Sequence, residues 1–133
     1  MYKKAVLQTE KKGSLIEITD EVRNAAAESG IKEGVVTVTS LSSDCGIVIT
    51  SFYDPKGHQD IIDDFERIFP PRLDYKSEKD PWENSGQSKA SIAGQSADLI
   101  LHGGEVVLGG SQGIFFAEYC DPKEREYSIN VFG

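Results

Sequence analysis

The segment Leu108-Gly-Gly-Ser-Gln-Gly-Ile-Phe-Phe-Ala-Glu118-Tyr-Cys-Asp-Pro-Lys-Glu-Arg125 constrains the fold more than any other part of the chain. Glycines interrupt its entry, and an apolar run of strand type then closes on a single acidic residue, Glu118. A turn rich in charge follows before alternation resumes. The pattern predicts strands over 113–119 and 126–132, joined by Cys-Asp-Pro-Lys-Glu-Arg.

Upstream of this block the signals are of the same kind. Residues 2–9 and 14–18 alternate apolar and polar side chains around Lys11-Lys12-Gly13, which predicts a first hairpin. Thr19 or Asp20 is placed to cap a short helix over 21–29 that Gly30 ends. Two strands, 34–41 and 45–53, flank a Ser42-Ser43-Asp44 turn. The clearest helix runs over 54–69, with Asp54 as cap and Pro55 in the first turn. Ile61, Ile62, Phe65, Ile68 and Phe69 recur there at helical spacing, while Asp60, Asp63, Asp64, Glu66 and Arg67 fall on the polar face. Pro70-Pro71 stops it. Residues 72–86 lack a period and predict a long loop. Residues 87–93 predict one or two helical turns before Gly94. Strands over 97–102 and 105–108 flank Gly103-Gly104, a composition suited to a primed two-residue turn. The sum is an α+β chain of a single domain, 1–133. A curled mixed or antiparallel sheet packs on one long helix and one to two short ones.

Composition bounds the function. The chain has 133 residues and a formal net charge of -8, with a pI near 4.7. That charge opposes nonspecific nucleic-acid or anionic-membrane binding, which basic surfaces serve. No apolar run approaches the roughly 20 residues of a membrane span. The N-terminal residues turn polar too early for a signal peptide, so the expected location is cytoplasmic. The two cysteines, Cys45 and Cys120, form no Cys-x-x-Cys pair and no zinc spacing, and read as reduced thiols.

The C-terminal block resembles the signature of the YjbQ family (UPF0047; secondary thiamine-phosphate synthase-like). There it runs Leu-Gly-Thr-Trp-Gln, a strand, then Glu-x-Asp-Gly-Pro-Arg-x-Arg. The same order continues upstream. Ser42–Gly46 stands at the family's His-Thr-Thr-Ala-Gly motif with Gly46 identical, Asp54-Pro55 matches the start of its long helix, and Ala90-Ser91 and Gly94 match its Asn-Ala-Asp-Ala-His-x-x-Ala-Ser-x-x-Gly pattern. The resemblance covers roughly residues 14–133 and implies a YjbQ-like fold, a homotrimer and a polar pocket. The pocket candidates it places are Ser42, Ser43, Asp44, Gln87, Ser88, Gln112 and Glu118. The family reaction it implies joins hydroxymethylpyrimidine diphosphate to thiazole phosphate, with magnesium required if that reaction is retained. Ser42 and Gln87 stand where the family carries histidine, Ser111 where it carries tryptophan, and Lys123 where it carries the first arginine. Serine and glutamine do not supply the proton shuttle or nitrogen ligand of an imidazole.

Each candidate also has a plain structural reading. Ser42–Asp44 reads as pocket wall or as a solvated turn, and Gln112 and Glu118 as ligand contacts or as satisfied structural groups. Lys123 and Arg125 read as an anion-binding pair or as surface charges. His58 and His102 match no family histidine and read as surface residues. The acids of 60–66 read as a solvated helix face rather than a magnesium site. Cys45 stands beside Asp44 and Cys120 near Glu118, which suggests approach to one pocket, but a nucleophilic thiol needs a base or cation beside it, and Lys123 is the only such candidate nearby in sequence. Three functions remain open: a divergent synthase, a non-catalytic binder of a small polar ligand, or a trimer that docks partners through the 72–86 loop with Trp82.

Overall fold

All strand pairs are antiparallel, and they form two sheets. The computed structural model describes residues 1–133. Strands β1 (Tyr2–Gln8), β8 (Glu124–Phe132), β3 (Gly34–Ser40), β5 (Ser96–His102) and β6 (Glu105–Val106) form a five-stranded sheet in that order. Strands β2 (Ser14–Glu17), β7 (Gln112–Glu118) and β4 (Cys45–Ser51) form a three-stranded sheet with β7 in the middle. Helices α1 (Thr19–Ser29), α2 (Pro55–Ile68) and α3 (Pro81–Ala93) complete the α+β domain. Gly103 and Gly104 both have positive φ, 60° and 81°, as the tight β5–β6 turn requires.

The main core lies between the sheets. Val36, Val38, Leu101, Ile129 and Val131 point inward from the larger sheet, and Ile47, Ile114 and Phe116 from the smaller one. Val22, Ala25 and Ala26 of α1 close the same core. A second, smaller cluster lies on the opposite face of the three-stranded sheet, where Ala117 and Tyr119 meet Ile62 of α2 and Ala90 of α3. Strand β7 is therefore covered on both faces and paired on both edges. That is why its apolar residues run without alternation, and why every residue after Gln112 in it is buried. Each large side chain so placed contributes about 1.5–3 kcal/mol.

The long helix is peripheral to that core. Asp54 caps α2 through Lys56 N–H at 2.9 Å, and Pro55 opens it. Of its apolar stripe only Ile62 is buried; Phe65 packs edge-on against Tyr119 with ring centroids 5.7 Å apart, and Ile68 is 63% exposed. Glu66, expected on the water-facing side, instead pairs with the buried Lys89 of α3. Helix α1 begins at Thr19 rather than being capped by it. Thr19 Oγ1 donates to Glu17 Oε2 at 2.8 Å and accepts from Ile114 N–H at 2.9 Å.

The expected loop over 72–86 is shorter. Helix α3 starts at Pro81, capped by Asp80 through Trp82 N–H at 2.9 Å. Trp82 is thus on the first turn of a helix. The segment hid because Trp-Glu-Asn-Ser-Gly carries no apolar period: α3 buries small and polar residues, Asn84, Ser85, Gly86 and Ala90. The Asp80-Pro81 pair repeats the Asp54-Pro55 signal and was the legible mark.

Candidate functional site

Glu118 ends β7 at the centre of the three-stranded sheet, opposite Ser14 of β2 and Cys45 of β4. It is wholly buried. Arg125, one residue into β8, reaches it bidentately: Nε donates to Oε1 at 2.8 Å and Nη2 to Oε2 at 2.7 Å. Thr9 Oγ1 donates to Oε1 at 2.7 Å, and Cys120 N–H to Oε2 at 3.2 Å. Cys45 Sγ adds a longer donation to Oε2 at 3.3 Å. The guanidinium, 5% exposed, also meets Asp44 through Nη1 at 3.0 Å and Nη2 at 3.4 Å. Both carboxylates and the cation are thereby satisfied from within the chain, the condition under which buried charges persist. Burial pulls the guanidinium down, but Glu118 and Asp44 outweigh it and hold Arg125 above its ordinary range.

The two thiols belong to the same network. Burial, with Glu118 beside it, pushes Cys45 far up, and burial with Asp44 pushes Cys120 up to about 12. Both are protonated at neutral pH, and the field of the carboxylates opposes a thiolate. Native protein is accordingly expected to incorporate no iodoacetamide over an hour at pH 8, whereas urea-unfolded protein takes up two equivalents by mass spectrometry. Rapid native labelling of either cysteine contradicts this assignment.

The other candidates are spread over the molecule. Ser42 and Ser43 form a turn whose carbonyls accept from Cys45 N–H at 3.3 Å and Gln95 Nε2 at 3.2 Å. Gln87 lies on the half-exposed side of α3, within 3.5 Å of both Lys79 and Glu83. Ser88 shares a shallow surface with it. Gln112 is at the far end of β7, about 20 Å from Glu118 at the usual rise of a strand. Its Oε1 accepts Gly109 N–H at 2.7 Å, and it borders an open cleft of about 490 Å³ with Glu17, Asp20, Glu21, Arg23, Phe52, Gly109 and Gly110. Lys123 is on the rim of a smaller cleft of about 150 Å³ beside Asp44, Trp82 and Cys120. Of the expected set, then, Asp44, Glu118 and Arg125 meet directly and Lys123 is their neighbour. Gln87 and Gln112 are elsewhere.

His58 packs against Phe115 with the rings tilted at 59° and centroids 4.6 Å apart, and His102 pairs with Glu33 at 2.8 Å on the surface. No three His, Cys, Asp or Glu side chains converge to hold a metal ion. No helix is long and apolar enough to cross a membrane. Thr9 is the participant that sequence reading missed: it directly follows β1, and the β1–β8 pairing brings it to Glu118.

The family profile described as UPF0047 protein YjbQ-like matches residues 3–133. The chain belongs to the YjbQ family. A UPF0047 protein of Methanocaldococcus jannaschii is 30% identical over 133 residues, covering 100% of this chain and 95% of the relative. The UPF0047 protein YugU of Bacillus subtilis is 30% identical, with 100% of both chains covered. Among solved structures, an uncharacterised YjbQ/UPF0047 protein of Clostridium acetobutylicum superposes with a TM-score of 0.92 at 31% identity, over 98% of this chain and 99% of that one. A YbjQ-like protein of unknown function from Sulfolobus solfataricus shares the fold with a TM-score of 0.93 at 24% identity, over 100% and 96% of the two chains. The names of these relatives assign no reaction. In this YjbQ-family chain Glu118 ends the central strand of the smaller sheet, Ser42 lies in the turn between β3 and β4, and Gln87 is on α3.

Proposed function

We propose that the chain is a non-catalytic small-molecule-binding protein on the YjbQ scaffold, with the ligand entering the cleft beside Gln112. One observation carries this reading. The buried polar network is closed on itself, its thiols held protonated, while the cleft at Gly109–Gln112 is open and of ligand size at about 490 Å³. The Gln112 amide nitrogen remains available there, because its oxygen is already spent on Gly109. A thermal-shift panel of phosphates, pyrimidines and carboxylates is the test: at least one compound is expected to raise Tm. A Cβ added at Gly110 meets nothing within 4 Å, and the residue is exposed on the cleft wall, so Gly110→Phe is expected to fold normally and abolish that shift. No stabilisation by any compound overturns the reading.

Thiamine-phosphate synthesis is the second reading. What favours it is the retained Gly109 and Gln112 of the family motif, both on the wall of the same cleft. Against it stand the missing imidazoles at Ser42 and Gln87, and the three carboxylates and single arginine of a cleft that would have to take phosphates. Magnesium would be held by one or two carboxylates together with the substrate phosphates, and it is supplied in the assay. Purified protein with hydroxymethylpyrimidine diphosphate, thiazole phosphate and magnesium is expected to form no thiamine phosphate by mass spectrometry. Product formation would reverse the order of the two readings.

The assembly in this proposal is a homotrimer. Its support is the uncovered face of the five-stranded sheet, where exposed Phe132 and Ile100 both flank Val35 and Val107 extends the row. Light scattering is expected to return three times the chain mass of 14.6 kDa. A monomer in the same measurement removes the trimer from the proposal.

A further inference from the structure

Helix α3 and residues 69–75 border an open cleft of about 460 Å³, separate from the Glu118 network and from the cleft at Gln112. Its volume is that of a small-molecule site. The chain itself fixes the walls. Ser85 Oγ donates to the Phe69 carbonyl and ties α3 to the start of the segment. Tyr75 O–H donates to the Pro70 carbonyl at 2.9 Å, and the Arg72 guanidinium lies 4.0 Å from the centroid of the Tyr75 ring. Phe69 and the largely exposed Ile92 give the cleft an apolar side.

The polar groups on the α3 side are short of partners. Asn84 is 7% exposed, and its amide nitrogen donates to the Ser77 and Lys79 carbonyls at 3.4 and 3.2 Å. Those two acceptors settle which end of the amide is nitrogen. The oxygen left over accepts nothing from the chain, and Asn84 lines the cleft. A buried acceptor normally has a partner. Serine hydroxyls inside helices commonly return to a carbonyl one turn back. Those of Ser88 and Ser91 do not, and both line the cleft. Gln87 has only contacts of 3.5 Å, to Lys79 and Glu83. No carboxylate lines the cleft, and Arg72, its one cation, is paired with Asp74 at 2.9 Å. A phosphate therefore meets no free cation there, and an ammonium meets no anion.

We propose that this cleft binds a neutral polyhydroxyl ligand of monosaccharide size. One ligand hydroxyl donates to Asn84 Oδ1, the acceptor whose orientation the chain has already fixed. Others exchange hydrogen bonds with Ser88, Ser91 and Gln87, since a hydroxyl both donates and accepts. The C–H face of the ring rests on Phe69 and Ile92. The site does not depend on the reading of the Gln112 cleft.

Amide NMR of isotopically labelled protein tests this, with D-glucose, D-galactose and myo-inositol as probes and sodium phosphate as the charged control. At least one probe is expected to move the Asn84 and Gln87 side-chain amides saturably. Half-saturation is expected at about 1–10 mM, the affinity that a few net hydrogen bonds supply. Ser88→Ala is expected to raise that concentration about fivefold, the worth of one hydrogen bond. Ser91 is exposed on the helix surface, so Ser91→Trp is expected to keep the native spectrum, fill the cleft and abolish the response. Maltose distinguishes the source of the sugar: weaker binding than glucose supports a free monosaccharide, and tighter binding supports the end of a glycan. No movement with any of the probes at about 100 mM overturns the proposal. So does an equal response to phosphate, or a response that survives in Ser91→Trp.

Discussion

Arg125→Ala is expected to destabilise the fold by about 3–5 kcal/mol, the cost of leaving a buried charge without its partner. Glu118 has no solvent exposure, and Arg125 provides two of its hydrogen bonds and its only opposite charge. Without the guanidinium, Thr9, Cys120 N–H and Cys45 still donate, but the carboxylate must be protonated or hydrated to remain inside. Asp44 loses its partner at the same time. Arg125→Lys is expected to recover only part of the loss, because one ammonium does not reproduce the fork that spans Glu118 and Asp44. Glu118→Gln combined with Arg125→Met is expected to be less damaging than Arg125→Ala, since the fully buried charge at position 118 is then gone and only Asp44 is left without its partner. Urea unfolding of the three variants measures these differences. A loss below about 1 kcal/mol for Arg125→Ala would mean that water reaches Glu118 and that the network is not a buried one.

Gly86→Ala is the second large effect, expected at about 2–3 kcal/mol, within the range for overpacking a filled interior. A Cβ on Gly86 would overlap Cys120 Sγ and stand 3.5 Å from both Asp44 Cβ and Tyr119 Cβ. Gly86 is therefore the point where α3 lies directly on the strand end that carries the buried network. The cysteine has little freedom to yield, because its thiol donates to the Trp82 carbonyl at 3.3 Å and its N–H is spent on Glu118. The cost should fall by at least half in Gly86→Ala/Cys120→Ala, where the overlapping sulfur is gone. If the double variant is no more stable than Gly86→Ala alone, backbone propensity rather than the close approach governs the position.

Much of the scaffold was legible from local signals. The Gly30 end of α1 and the Gly103-Gly104 turn are decided by a left-handed backbone that few residues adopt, and the Asp54-Pro55 start of α2 by a side-chain cap and a fixed proline φ. Helix α3 was read only in its second half, because its buried face is made of Asn84, Ser85, Gly86 and Ala90 rather than of large apolar residues. The stripe on α2 suggested a central helix, yet Ile68 is exposed and Glu66 is turned to Lys89. Periodicity reports which face of a helix is apolar, not how much of that face a neighbour covers. Among the site candidates, Glu118 and Arg125 were named from their place in one motif, and their pairing follows from a turn short enough to bring them together. Thr9 and Asp44 join them from 109 and 81 positions away, a separation that no local pattern encodes.

The sequence by itself determined that this chain is an α+β domain of the YjbQ family, with an apolar strand closing on one acid and imidazole missing from two expected places. Those are properties of residue type and spacing along the chain. The tertiary structure alone decided that the acid is buried and already neutralised, that Gln112 faces a different cleft, and that Lys12 rests on Trp82. Strand pairing and helix packing, which act through space between distant segments, set each of those contacts.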